Sequence, residues 1–114
     1  MKVEKLEQGG VAILHPSGPL TGDKETDLLR SALEDLGKEG NTRAVIDLAQ
    51  VSWINSTGIG MLIAGYKDYT SRGGKLKLCS VSENMQNVLA ITRLTQVFEV
   101  FANEKEAIAS FAAA

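Results

Sequence analysis

Asn55-Ser56-Thr57-Gly58-Ile59-Gly60 sets two hydroxyls and two glycines immediately behind an apolar run, and these six residues are the part of the chain best suited to chemistry. Val45-Ile46-Asp47-Leu48 and Val51-Ser52-Trp53-Ile54 lead into the polar cluster, and an amphipathic pattern starts directly after it. That succession reads as strand, tight turn, helix. Ser56 and Thr57 then stand at a helix N-terminus, where unpaired backbone N–H groups and a partial positive charge favour an anion. A phosphate on the Ser56 hydroxyl suits that place. So does a plain N-cap role for the same serine, which contributes roughly 1 kcal/mol with no signalling at all. Gly58 and Gly60 fall where helix should be running, each at a cost of up to ~1 kcal/mol relative to alanine. Close packing of helix on strand, or access for a partner molecule, would account for either.

Enzyme chemistry finds no support in the remaining motifs. No Gly-x-Ser-x-Gly elbow surrounds Ser56, no Lys-Ser/Thr closes a glycine-rich loop, and Gly58-x-Gly60 lacks the third glycine of a dinucleotide fingerprint. A serine nucleophile needs a base, and His15 is the sole imidazole, placed at the end of a strand. Without a second histidine a metal site is not expected, so the chain should carry no catalytic residue, metal or cofactor. Asp23, Glu25 and Asp27 suit the positive end of a helix dipole and could also frame an interface beside Ser56. Trp53, just before the turn, is expected in the core.

The elements that must position the turn follow from periodicity. Val3–Leu6 and Val11–Leu14 flank Gly9-Gly10 as a hairpin whose first strand lies at an edge. Thr21-Gly22-Asp23 offers N-cap oxygens to a helix with Leu28, Leu29, Ala32, Leu33 and Leu36 on one face, ending near Gly40. Arg43–Leu48 is the central strand, buried on both faces. The helix opening at Ser56 directs Ile59, Leu62, Ile63 and Tyr66 inward and ends at Gly73-Gly74. Leu76 and Leu78 alternate with lysines in a further strand, Ser82 caps a helix bearing Met85, Val88, Leu89 and Thr92, and Val97–Phe101 forms a last strand. Asn103 and Glu106 have capping-box spacing before a helix with Ala107, Ile108 and Phe111 on its apolar side. The order β-β-α-β-α-β-α-β-α predicts an α/β fold with a mixed sheet whose later strands are parallel.

At 114 residues the chain should form one domain spanning 1–114, large enough to bury a core without metals or disulfides. A net charge of −2 and the lack of basic runs argue against nucleic acid as a partner. Cys79 is the only cysteine, which suits a reducing compartment. Neither a signal peptide nor a membrane span is legible, so a cytoplasmic protein without membrane insertion is expected.

Asn55-Ser56-Thr57-Gly58-Ile59-Gly60, the apolar strand before it, the Arg72-Gly73-Gly74 turn after its helix and the Leu76–Cys79 strand together resemble the STAS family of sulfate transporters and bacterial anti-sigma-factor antagonists. The resemblance covers nearly the whole chain. It implies a single STAS domain with about four helices packed mainly on one face of the sheet and the Ser56 turn exposed beside the sheet's end. It further implies a phosphorylation-controlled binding module, with Ser56 as phosphoacceptor and Thr21, Asp23, Asn55, Thr57, Gly58 and Gly60 around it as the contact surface. The implied partners are a serine-kinase anti-sigma factor, whose capture frees a sigma factor, and a PP2C-type phosphatase that resets the switch. Asn55 stands where the family pattern has aspartate, and Thr21 where many antagonists carry an acidic residue. Two other roles compete: a STAS docking subunit of a lipid-transport complex or stress-sensing particle, and a phosphoryl-accepting receiver domain. The second needs an acidic pair near the first strand, where His15-Pro16 stands instead.

Overall fold

A computed structural model describes residues 2–22 and 24–112, with the side chains of residues 2, 25, 95 and 112 left aside. The strands are β1 (Lys2–Gln8), β2 (Val11–Ser17), β3 (Arg43–Asp47), β4 (Lys75–Cys79) and β5 (Val100–Phe101). The helices are α1 (Lys24–Lys38), α2 (Ser56–Ser71), α3 (Glu83–Ile91) and α4 (Glu104–Ala112), with one 3-10 turn at Leu94–Gln96. The sheet order is β1-β2-β3-β4-β5, with β1 antiparallel to β2 and every later pair parallel. Each parallel pair is joined through a helix, as parallel neighbours require.

Period-two alternation divides the sheet into two packed faces. Ala12, Leu14, Ala44, Ile46, Leu76 and Leu78 point to one side, where Leu29, Leu33 and Leu36 of α1, Met61, Leu62 and Tyr69 of α2, and Met85 and Leu89 of α3 complete the main core. Val11, Val45 and Cys79 point to the other side, which α4 covers with Ala107 and Phe111. Three of the four described helices thus share a face, and α4 closes the back.

Several positions depart from the periodic reading. Leu28 is 46% exposed, because α1 rests on the sheet through Leu29, Leu33 and Leu36 and Leu28 falls off that stripe. In α2 the buried line runs through Gly58, Met61, Leu62 and Tyr69, with Ile59, Ile63 and Tyr66 at its margin. The last strand is confined to Val100–Phe101, since the chain first makes a 3-10 turn that drops Leu94 and Phe98 into the core. Lys77, one of the lysines that alternate with Leu76 and Leu78, is only 4% exposed. Its face is covered by α4: the ammonium donates to Ser110 Oγ at 2.8 Å, lies 3.3 Å from a Glu99 carboxylate oxygen and stands 4.2 Å from the Phe111 ring centre.

Candidate functional site

The Ser56 turn is assembled by two chain segments zipped side by side. After β3 the chain descends through residues 48–55 and pairs with residues 18–20 that follow β2. Gly18 N–H donates to Gln50 O, Leu20 N–H to Trp53 O at 2.8 Å, and Asn55 N–H to Leu20 O at 3.2 Å. Leu20 and Ile54 form a parallel bridge, and both side chains are buried. This anchor holds the start of α2 against the start of α1.

Asn55, and not Ser56, is the N-cap of α2. Its extended backbone leaves Oδ1 free to accept from Thr57 N–H at 3.0 Å and Gly58 N–H at 3.1 Å. Its Nδ2 donates to Thr21 O at 3.1 Å. One amide therefore satisfies two helix donors and ties the loop before α1 to the same point. Aspartate could do only the first of these, because a carboxylate has no hydrogen to offer Thr21 O.

With the cap assigned to Asn55, the Ser56 hydroxyl is left exposed at the first residue of α2, and no hydrogen bond engages it among the described residues. Thr57 is exposed too, but its methyl is seated against Gly22: a Cβ on Gly22, whose φ is +94°, would lie 2.7 Å from Thr57 Cγ2. Gly22 N–H in turn donates to Thr26 Oγ1 at 2.8 Å. Thr21 is half-buried between the two segments. Asp23 lies outside the described residues.

The two glycines separate cleanly. Gly58 is buried, and a Cβ there would stand 2.2 Å from Leu20 O and 2.9 Å from Ile54 Cγ1, so close packing accounts for it. Gly60 is exposed and a Cβ would meet nothing within 4 Å. Packing gives no reason for glycine at Gly60. Trp53, expected in the core, is instead 53% exposed. Its backbone carbonyl is used by Leu20 while Ile54 takes the inward position, so the indole is turned out beside the turn. Period-two alternation would have put Trp53 on the side of Val51; the segment is not a regular strand, and Val51 and Ile54 are buried while Ser52 and Trp53 are exposed, so the sequence held no simple signal for the outward indole.

His15 lies away from this turn chemistry, paired with Asp47 and Glu104 behind the sheet. Desolvation, followed by the hydrogen bond and charge of Asp47, pushes the Glu104 carboxyl above its ordinary range, against the opposing pull of His15.

The sequence profile of the STAS domain matches residues 2–107. The chain belongs to the STAS family. Among related STAS proteins, the anti-sigma F factor antagonist of Paenibacillus polymyxa is 24% identical over 110 residues, 95% of this chain and 92% of its own length. The anti-sigma-B factor antagonist of Bacillus subtilis is 31% identical over 78 residues, covering 68% of this chain and 71% of that protein. The crystal structure of an anti-sigma factor antagonist from Mycobacterium paratuberculosis superposes with a TM-score of 0.83 at 21% identity, covering 96% of this chain and 92% of the other. That likeness is one of fold. The STAS domain here contains no described helix long and apolar enough to cross a membrane.

Proposed function

We propose that this chain is an anti-sigma-factor antagonist controlled by phosphorylation of Ser56. The unmodified domain, acting as one unit over residues 1–114 in the cytoplasm, docks through the Ser56 turn on a serine-kinase anti-sigma factor and thereby frees a sigma factor for transcription. It is a binding module and not an enzyme. Thr21, Asn55, Thr57 and Gly60 make up the contact surface with Ser56, Asp23 contributes to partner binding, and Gly58 lies beneath, keeping α2 close to Leu20. The kinase transfers the γ-phosphoryl of ATP to Ser56 Oγ: the new O–P bond forms as the bond to ADP breaks, and the hydroxyl proton passes to a kinase base. The added charge ends the interaction. A PP2C-type phosphatase hydrolyses the phosphate and restores binding.

The observation that carries this reading is the exposed, unengaged Ser56 hydroxyl beside an exposed Gly60 that packing does not explain. The names of the relatives point the same way. Incubation with the anti-sigma kinase and Mg-ATP should add one phosphate, on Ser56, by mass spectrometry. Full labelling of Ser56→Ala would overturn the assignment.

A second reading has one observation in its favour. Asn55 gives the turn a neutral cap that locks it to Thr21, an arrangement suited to a permanent docking surface in a larger assembly, such as a lipid-transport complex or a stress-sensing particle. That role requires Ser56→Ala to leave all partner behaviour unchanged.

A further inference from the structure

We propose that His15, Asp47 and Glu104 form a binding site for a divalent transition-metal ion of the Zn2+ type, on the sheet face opposite the α1–α2 layer. His15 and Asp47 follow directly after the register pair Leu14–Ile46 at the ends of the parallel neighbours β2 and β3, and alternation turns both side chains toward α4. Glu104 is the first residue of α4 and reaches the same point from the covering layer. The three potential donor atoms lie within 4.8 Å of one another.

The spacing and chemistry fit such an ion. Zinc binds imidazole nitrogen and carboxylate oxygen at about 2.0–2.2 Å, so two ligands of a tetrahedral site stand roughly 3.4 Å apart. His15 Nε2 and Asp47 Oδ2 are 3.5 Å apart, the separation of two such ligands, whereas Glu104 Oε1 is paired directly with the same nitrogen and must draw back to that spacing to admit the ion. Asp47 is already oriented, because its other oxygen accepts from Ala49 N–H at 2.9 Å and leaves Oδ2 aimed at the imidazole. The three groups open on a cleft of about 450 Å³ that Glu4, Ser17 and Gln50 also line, leaving room for a water as fourth ligand. An imidazole among the donors selects zinc-like ions over magnesium and calcium, which prefer all-oxygen shells. The expectation of no metal rested on the single histidine; the fold supplies two carboxylates from distant points of the chain in place of a second imidazole.

The alternative is an ion pair of protonated His15 with the two carboxylates. Titration of the tag-free full chain with ZnCl2 at neutral pH, followed by calorimetry and by ¹⁵N NMR of the imidazole, separates the two. The chain has one histidine, so one ring reports. Zinc binding should saturate at one ion per chain, shift the Nε2 resonance and be lost in His15→Asn. Glu104→Gln, retaining the fold by circular dichroism, should weaken binding without abolishing the shift. An unmoved Nε2 signal, undiminished binding in both variants, or magnesium bound as tightly as zinc would overturn the proposal.

Discussion

Gly58 and Gly60 stand two residues apart in the first two turns of α2, and alanine at each should move stability in opposite directions. At Gly60 the new methyl enters open space on a helical backbone, so only propensity and unfolded-chain entropy change. Those effects favour alanine by about 0.5–1 kcal/mol. For 114 residues, at about 2.1 cal/mol/K per residue, unfolding entropy is roughly 240 cal/mol/K, and the gain raises Tm by about 2–4 °C. At Gly58 the methyl meets a backbone carbonyl at 2.2 Å across the Leu20–Ile54 bridge, so the anchor itself must open by more than 1 Å. Overpacking of this kind costs ~3 kcal/mol, which leaves a net loss of about 2 kcal/mol and a fall of roughly 8 °C. Thermal unfolding by circular dichroism measures both, and affinity for the anti-sigma kinase is measured on the same samples. Gly60→Ala should be stabler yet bind more weakly. A Gly60→Ala protein that melts below wild type, or a Gly58→Ala protein that matches it, would refute the assignment of one glycine to the surface and the other to packing.

Asn55→Ala removes the acceptor for Thr57 N–H and Gly58 N–H together with the donor to Thr21 O, and should cost ~1–2 kcal/mol in urea unfolding; no change would show that the cap is idle. Asn55→Asp keeps the cap and loses only the donor, so amide NMR shifts should concentrate in residues 18–22 and the first turn of α2, with the melting temperature nearly unchanged. Phosphate on Ser56 should likewise perturb only neighbouring amides, because its helix-terminus interaction of ~0.3–2 kcal/mol is small beside a typical stability of roughly 5–15 kcal/mol; shifts across the whole sheet would contradict this. Burial pushes the Tyr69 hydroxyl and the Cys79 thiol up to about 12 from 10.0 and 9.0. The unfolded chain then loses these protons first, so stability should decline as pH rises from about 9 toward 12 and be unaffected by these groups near neutrality, a trend that urea titrations at pH 7, 9 and 11 would reveal or exclude.

Element order was legible because hydrophobic period and turn residues agree nearly everywhere: Gly9-Gly10 closes the hairpin, Ser82 caps α3 by accepting from Met85 N–H, and Asn103 caps α4 by accepting from Glu106 N–H. Periodicity indicates a direction but not how wide the buried stripe is, which is why Leu28 was assigned inward and Met61 was not. The burial of Lys77 was not legible, because alternation separates the two faces of the strand without showing that α4 folds across the back of the sheet. At the turn, strand and helix were readable while the division of labour was not. Asparagine and serine are both good caps, and it is the extended backbone of Asn55, which aims Oδ1 at Thr57 N–H and Gly58 N–H, that gives Asn55 the role and leaves Ser56 as the exposed first helical residue. The grouping of His15 with Asp47 and Glu104 was beyond sequence reading, since their meeting depends on strand order and on the seat of α4.

The central claim is that the surface carrying Ser56 binds the anti-sigma kinase and that one phosphate there turns binding off. Its most direct test compares the dissociation constant of the kinase for unmodified and Ser56-phosphorylated protein at fixed salt. A phosphate brings about −1.5 to −2 charges, and one like-charge contact at about 4 Å costs ~4 kcal/mol for an effective dielectric near 20. The account predicts a loss of affinity of roughly a thousandfold. Equal affinity of the two forms, with phosphate verified on Ser56, would contradict it.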